Sequence, residues 1–356
     1  MTDRLSNIRA NFDEWQVDAL LLTSAANRRW ASGFTGSAAH LLLSRDRAVL
    51  ATDSRYWERA EQEAPGWEIF RMGDDKDAMV NFLAKAEAKR IGVEASHVSL
   101  AKRSALDKHE GITWVPLSAT VEPLRAVKTA DELAAIRAAA RLTDETVAQM
   151  PRLARPGVSE RAVAWELEKF MREAGAEAVA FDIIVASGPN SALPHHHPGE
   201  RLLQAGDIVI VDLGAQVDGY KSDLTRTFYL GDAGDDAFWG IYDTVRQAHA
   251  AAIGGIRPGL TGKDVDALAR DLITAAGHGD HFGHGTGHGV GLEIHEEPRF
   301  SRLAEKTIIP PGAVMTVEPG IYLPGYGGVR IEDLMLVKAD GAEYLSGAPQ
   351  SPLIAV

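Results

Sequence analysis

Four carboxylates stand on strand-like runs in the C-terminal part of the chain: Asp212 in IVIVDLGA, Asp223 in YKSDLTRTF, Glu318 in VMTVEPGIY and Glu332 in GVRIEDLMLV; Asp212 and Glu318 each interrupt an apolar, β-branched run. A strand alternates its faces, so an acid flanked by valine and leucine, or by valine and proline, is expected to point inward. A carboxylate buried alone is costly and needs a cation or a proton. One such acid could be a core group paired with an arginine. Four of them, arranged two by two, together with His288 in GHGTGHGVG, point to a metal site. Carboxylates with one imidazole suit divalent manganese, cobalt or zinc. A catalytic ion usually keeps about three protein ligands. Two ions roughly 3.5–4 Å apart, sharing carboxylates and a water, match the larger set.

The richest histidine segment, HFGHGTGHGVGLEIHEEP (281–298), fits neither of two familiar patterns. The G-x-G-x-x-G spacing of a dinucleotide loop is absent, and HEEPR lacks the second histidine of H-E-x-x-H. His284 and His288 are separated by Gly-Thr-Gly, which permits close approach of the backbone to a ligand. His295 falls in VGLEIHE, whose alternation predicts a strand. His278 and His281 sit in a polar loop and are expected to be solvated. In SALPHHHPGE, three adjacent imidazoles cannot all face one site; at most one or two do. No G-x-S-x-G elbow occurs, and the absence of cysteine excludes thiol catalysis, Cys-ligated zinc, iron–sulfur clusters and disulfides.

The elements that must position these residues show an internal echo. RPGVSERAVAWELEKFMREAG (155–175) and RPGLTGKDVDALARDLITAAG (257–277) align without a gap. Each has a Ser/Thr helix cap, an amphipathic helix and a terminal glycine, and each is followed by a histidine-bearing segment and two carboxylates. A duplicated, pseudo-twofold fold would bring both carboxylate pairs to one centre. The first third alternates strands and helices instead. A helix is expected over 3–15, strands at 17–23, HLLLS and AVLATD, a helix in SRYWERAEQEA, then WEIFRM, a helix over 76–88, RIGVE, a helix over 100–109 and TWVPL. Pro123, followed by the Thr129/Glu132 capping-box spacing, marks a junction. The expected domains are 1–125 and 126–356. A net charge of −13 disfavours nucleic acid and anionic membranes as partners. With no long apolar run and a charged N-terminus, a cytoplasmic location is expected.

VDLGAQVDGYKSDLTRTF, GHGTGHGVGLEIHE, TVEPGIY and VRIEDLMLV, in this order, resemble the metal-binding motifs of the pita-bread metallopeptidases, in particular aminopeptidase P and prolidase. The likeness is strong over roughly 125–345. NRRWASGFTGSAAHLLL and ATDSRYW are similar to the creatinase-type N-terminal domain. The resemblance implies an α/β N-terminal domain of creatinase type and an α+β pita-bread catalytic domain with a pseudo-twofold repeat. It implies metal ligation by Asp212, Asp223, His288, Glu318 and Glu332. Asp223 and Glu332 would bridge two divalent ions, Asp212 would serve one ion, and His288 and Glu318 the other. Manganese is the expected metal, with cobalt or zinc as alternatives. His195, His284 and His295 match active-site, substrate-binding and transition-state histidines. Glu318 would relay a proton, and Tyr322 and Arg330 match residues that line the site and orient ligands. A homodimer is expected.

The resemblance implies an Xaa-Pro aminopeptidase, releasing the first residue of peptides with proline second. The alternative is an Xaa-Pro dipeptidase, for which Arg299 in HEEPRFS lies where some prolidases clamp the dipeptide carboxylate. A metal-dependent binding module without turnover is the third reading.

Overall fold

Runs of aliphatic residues without polar alternation become strands buried on both faces, as LLL does in Ala19–Leu22 and again in His40–Ser44. The computed structural model describes residues 2–356; Met1, first residue of the expected N-terminal domain, lies outside them. The chain divides into two units, Met1–Arg125 and Ala126–Val356.

The first unit is built on one six-stranded sheet. Its order across the sheet is Glu68–Arg71, Ala48–Thr52, His40–Ser44, Ala19–Leu22, Arg90–Glu94 and Thr113–Leu117. The pairs made by His40–Ser44 are antiparallel and the rest parallel. Leu21, Leu42, Val49, Phe82, Ile91, Val93 and Trp114 form its core. The helix expected over 3–15 is two helices, Thr2–Arg9 and Phe12–Trp15, with Gln16 left-handed at the end of the second. A helix not foreseen, Ala25–Ser32, is capped by the Ser24 side chain and closed by left-handed Gly33.

The second unit repeats one motif. Each half has a long helix (Ala130–Val147; Asp236–Gly255) and an amphipathic helix (Glu160–Glu173; Gly262–Ala275). Three neighbouring antiparallel strands follow. They are Ile184–Ser187, Ile208–Leu213 and Leu224–Leu230 in the first half, and Gly287–Gly289, Val314–Val317 and Asp333–Lys338 in the second. Even the cap residues correspond, since Ser159 bridges to Leu202 and Thr261 to Ile308. The Thr129/Glu132 capping box forms at the start of Ala130–Val147. Among the described residues no helix is long and apolar enough to cross a membrane.

Candidate metal centre

The strand pairing places each acid. Asp212 lies in the middle strand of the first half, opposite Thr225, and Asp223 immediately precedes the third strand. Glu318 follows Val317, which pairs with Asp333, so Glu332 stands across from it at the mouth of the same pair. His288 is in the first strand of the second half, next to Val314–Val317. The two glycines before it are needed for packing against neighbouring strands rather than for approach to a ligand. A Cβ at Gly287 would sit 2.0 Å from the Thr316 carbonyl oxygen, and one at Gly285 would sit 2.7 Å from that of Phe300.

Of the eleven residues singled out in the sequence, ten line a single cleft of about 740 Å³. Tyr322 does not. It is buried, and its hydroxyl accepts from Arg330 Nη1 at 2.8 Å and donates to His284 Nε2 at 2.8 Å. It lies behind the cleft lining, bridging Arg330 and His284. His284 Nδ1–H donates to the Gly285 carbonyl, and burial lowers the pKa of this ring. His284 is therefore a neutral imidazole with both nitrogens engaged.

Asp223, His288 and Glu332 offer ligand atoms all within 4.8 Å of one another. His288 Nδ1–H donates to the Gly289 carbonyl at 3.0 Å, which leaves the Nε2 lone pair facing the acids. Nε2 lies 3.4 Å from Glu318 Oε1 and 3.6 Å from Asp223 Oδ2, separations with room for a cation between them. Glu332 Oε2 accepts from Thr225 Oγ1 at 2.6 Å, and Glu318 Oε1 from Thr316 Oγ1 at 3.3 Å. Asp212 stands apart from the three. Its Oδ2 takes Arg330 Nη2 at 2.7 Å, and its Oδ1 is buried with no hydrogen-bond partner among the described residues.

The electrostatics ask for positive charge. Burial, then repulsion from neighbouring carboxylates, pushes Asp223 and Glu332 well above the usual carboxylate range, and burial raises Glu318 as well. Arg330 offsets one of the four acids. An imidazole lone pair, three carboxylates destabilised as anions and an orphaned Asp212 oxygen form a donor set that fits hard or borderline divalent cations.

The histidines around the cluster differ from expectation in two places. His295 is not on a strand: residues 291–295 form bends, and the strand begins at Glu296 after a register shift at His288/Gly289. Its ring stacks edgewise on His288 with centroids 4.4 Å apart. Burial, with Arg299 and His288 nearby, lowers its pKa to about 4. Its neighbour Glu296 is held by a buried ion pair to Lys128 at 3.1 Å. His195, His196 and His197 all reach the cleft, but His196 is bonded to Glu160. His278 and His281 are half-buried, not fully solvated. Thr225 and Thr316 were not foreseen, although each sits two residues from an acid on the same strand face, a signal the period of two carries.

A family model for metallopeptidase family M24 matches residues 134–339, and one for the creatinase/prolidase N-terminal domain matches 4–127. The chain belongs to metallopeptidase family M24. This M24 peptidase is 40% identical to an uncharacterized peptidase of Bacillus subtilis, over 99% of both chains. The solved structure of an Xaa-Pro dipeptidase from Bacillus anthracis is 41% identical, with a TM-score of 0.96 over 100% of this chain and 99% of that one. An X-Pro aminopeptidase from Thermotoga maritima is 34% identical, with a TM-score of 0.90 over 99% of this chain and 100% of that one. The pita-bread architecture and creatinase-type N-terminal domain are thus those of the family. A metallopeptidase of this family works with divalent metal ions, and Asp223, His288 and Glu332 form a group able to hold one.

Proposed function

We propose that this M24 peptidase hydrolyses the bond between a first residue and a following proline, and that it acts as an Xaa-Pro aminopeptidase. The observation that carries the reading is the convergence of four carboxylates and His288 in one cleft with His195, His284 and His295. Asp223 and Glu332 would bridge two divalent ions, with Asp212 on one and His288 and Glu318 on the other. Bound there, the ions would supply Lewis acidity and lower the pKa of a water. The chain's own residues do the rest. In a reaction at neutral pH, Glu318 would take a proton from the attacking water and relay it to the leaving proline nitrogen. His295, neutral at that pH, offers an N–H to negative charge developing on the scissile carbonyl oxygen. His288 keeps its Nδ1 proton on Gly289, so its tautomer does not change during the reaction. An Xaa-Pro amide has no N–H. A peptidase that must hydrogen-bond that group would reject the bond, which is why a separate enzyme for it makes physical sense.

The cleft supports the aminopeptidase branch. At about 740 Å³ it lies well inside the roughly 300–1,000 Å³ range of sites for drug-sized ligands, leaving space beyond a proline. Arg299 favours a second reading, an Xaa-Pro dipeptidase. Its guanidinium lines the cleft, about half exposed, with Nε donating to Glu297 at 3.3 Å, and could pair with a free proline carboxylate. Hydrolysis of Ala-Pro and Ala-Pro-Ala by the manganese-loaded enzyme separates the two. The aminopeptidase reading expects the tripeptide to be the better substrate and Arg299→Ala to leave its cleavage nearly unchanged. Efficient cleavage of the dipeptide alone, with KM raised roughly 10-fold by Arg299→Ala, would establish the second reading.

A further inference from the structure

The triple histidine His195-His196-His197 raises a question the reaction does not answer: what decides which imidazole is presented to substrate. Glu160, first residue of the helix Glu160–Glu173, is fully buried. Its Oε1 accepts from Ser187 N at 2.8 Å, Ser187 Oγ at 2.7 Å and Asn190 Nδ2 at 2.9 Å. Its Oε2 accepts from His196 Nε2 at 2.8 Å and Gly199 N at 3.1 Å. One carboxylate therefore gathers both ends and the middle of the segment 187–199. A buried carboxylate left without these donors would be strongly disfavoured, so the segment and the acid order one another.

The other side of His195 is held as well. The Pro194 carbonyl accepts from Arg330 Nη1 at 3.3 Å, and Arg330 is itself bonded to Asp212. His195 thus lies between a residue tied to the acidic cluster and a residue tied to Glu160. Apolar packing supplies little of this order: Leu193 is largely exposed, and His195 and His197 are exposed. The second half of the unit uses a related device. Buried Asp266 accepts from Thr286 N and Oγ1, and its partner Arg270 donates to the carbonyl of His284.

We infer that Glu160 and His196 are positioning residues. Glu160 captures the Nε2–H of His196 and thereby sets the turn that presents His195 to the cleft. His196 is withdrawn from the reaction by this bond. The inference rests on the reading of His195 as a group that contacts substrate.

The test uses His196→Gln, whose amide places an N–H near the position of Nε2–H, and His196→Asn, whose amide is too short to reach Glu160. His195→Ala and His195→Ala/His196→Asn complete a cycle. Each manganese-loaded protein is assayed on Ala-Pro-Ala for kcat and KM. Manganese content is measured, and the imidazole signals of isotope-labelled histidines are recorded by NMR. His196→Asn is expected to lower kcat/KM on the order of 10-fold with manganese content kept, and to shift or broaden the His195 signal. His196→Gln should restore both. In the His195→Ala background, His196→Asn should add almost nothing, since it acts through the group already removed. An unchanged His195 signal in His196→Asn, or losses that simply multiply in the double variant, would overturn the inference. Full activity of His195→Ala would instead sink the reading of His195 as a substrate contact. The NMR signal would still decide the positioning.

Discussion

Thr225 and Glu332 are bonded to each other twice across the junction of the two halves of the catalytic unit. Thr225 Oγ1 donates to Glu332 Oε2 at 2.6 Å, and Glu332 N donates to the Thr225 carbonyl at 3.1 Å. Arg330 Nε donates to the same hydroxyl oxygen at 3.1 Å, which commits its proton to the carboxylate. One residue of the first half therefore orients an acid of the second, and removing it should loosen a proposed metal ligand. Thr225→Val keeps the shape and loses the donor. Manganese affinity, read by competition with a chelator, is expected to fall roughly 10–100-fold, as for other partners that orient metal ligands. Thr225→Ser should recover most of it. Unchanged affinity in Thr225→Val would show that the hydroxyl does not support the site.

Burial, with His288 and Arg299 nearby, lowers the pKa of His295 to about 4, so the ring is neutral at neutral pH. A neutral ring can offer an N–H to developing negative charge, the role proposed for it above. His295→Ala should lower kcat on the order of 10²-fold, as for a lost oxyanion donor, with KM little changed and manganese content kept. Loss of manganese in this variant would reassign His295 as a ligand.

The N-terminal unit carries a pH-sensitive group of its own. His40 opens the strand His40–Ser44, packs on Phe82, and buries Nδ1 without a hydrogen-bond partner. Burial first, then Arg28 and Lys102, lowers its pKa from 6.5 to about 4. Between those values the unfolded chain binds the extra proton, so folding weakens as pH falls from 6.5 toward 4 and the penalty is complete below that. At about pH 5 the penalty relative to about pH 8 is on the order of 2 kcal/mol. His40→Leu should remove this part of the pH dependence in urea unfolding followed at both pH values. Parallel pH profiles for wild type and variant would contradict the assignment.

Local patterns carried most of the fold. Arg90–Glu94 and Thr113–Leu117 coincide with the expected RIGVE and TWVPL strands, and the Thr129/Glu132 box starts its helix, because each depends on neighbours in sequence. Asp212 and Glu318 were legible for a similar reason, since an acid inside a valine-rich run is conspicuous, whereas Asp223, in YKSDLTRTF, was legible only as the second acid of the repeated pattern. What orients them was not. Thr225 and Glu332 are 107 residues apart, and Lys128 and Glu296 are 168 apart, so only the assembled sheets bring them together. His295 was placed on a strand because LEI alternates, but the shift of register beside His288 turns that run into bends. Ala25–Ser32 was missed although Ser24 and Gly33 bracket it, since the Arg28-Arg29 pair within it obscures an apolar face.

The proposed function stands on the acidic cleft being a metal centre with Asp223 and Glu332 as shared ligands. Its most direct test is the number of manganese ions bound per chain, measured by equilibrium titration of metal-stripped protein together with Asp223→Ala and Glu332→Ala. About two ions are expected per wild-type chain. Each variant should show a marked loss of binding while its thermal unfolding shows that it remains folded. Wild-type protein that binds no manganese above background, or variants that bind as much as wild type, would contradict it.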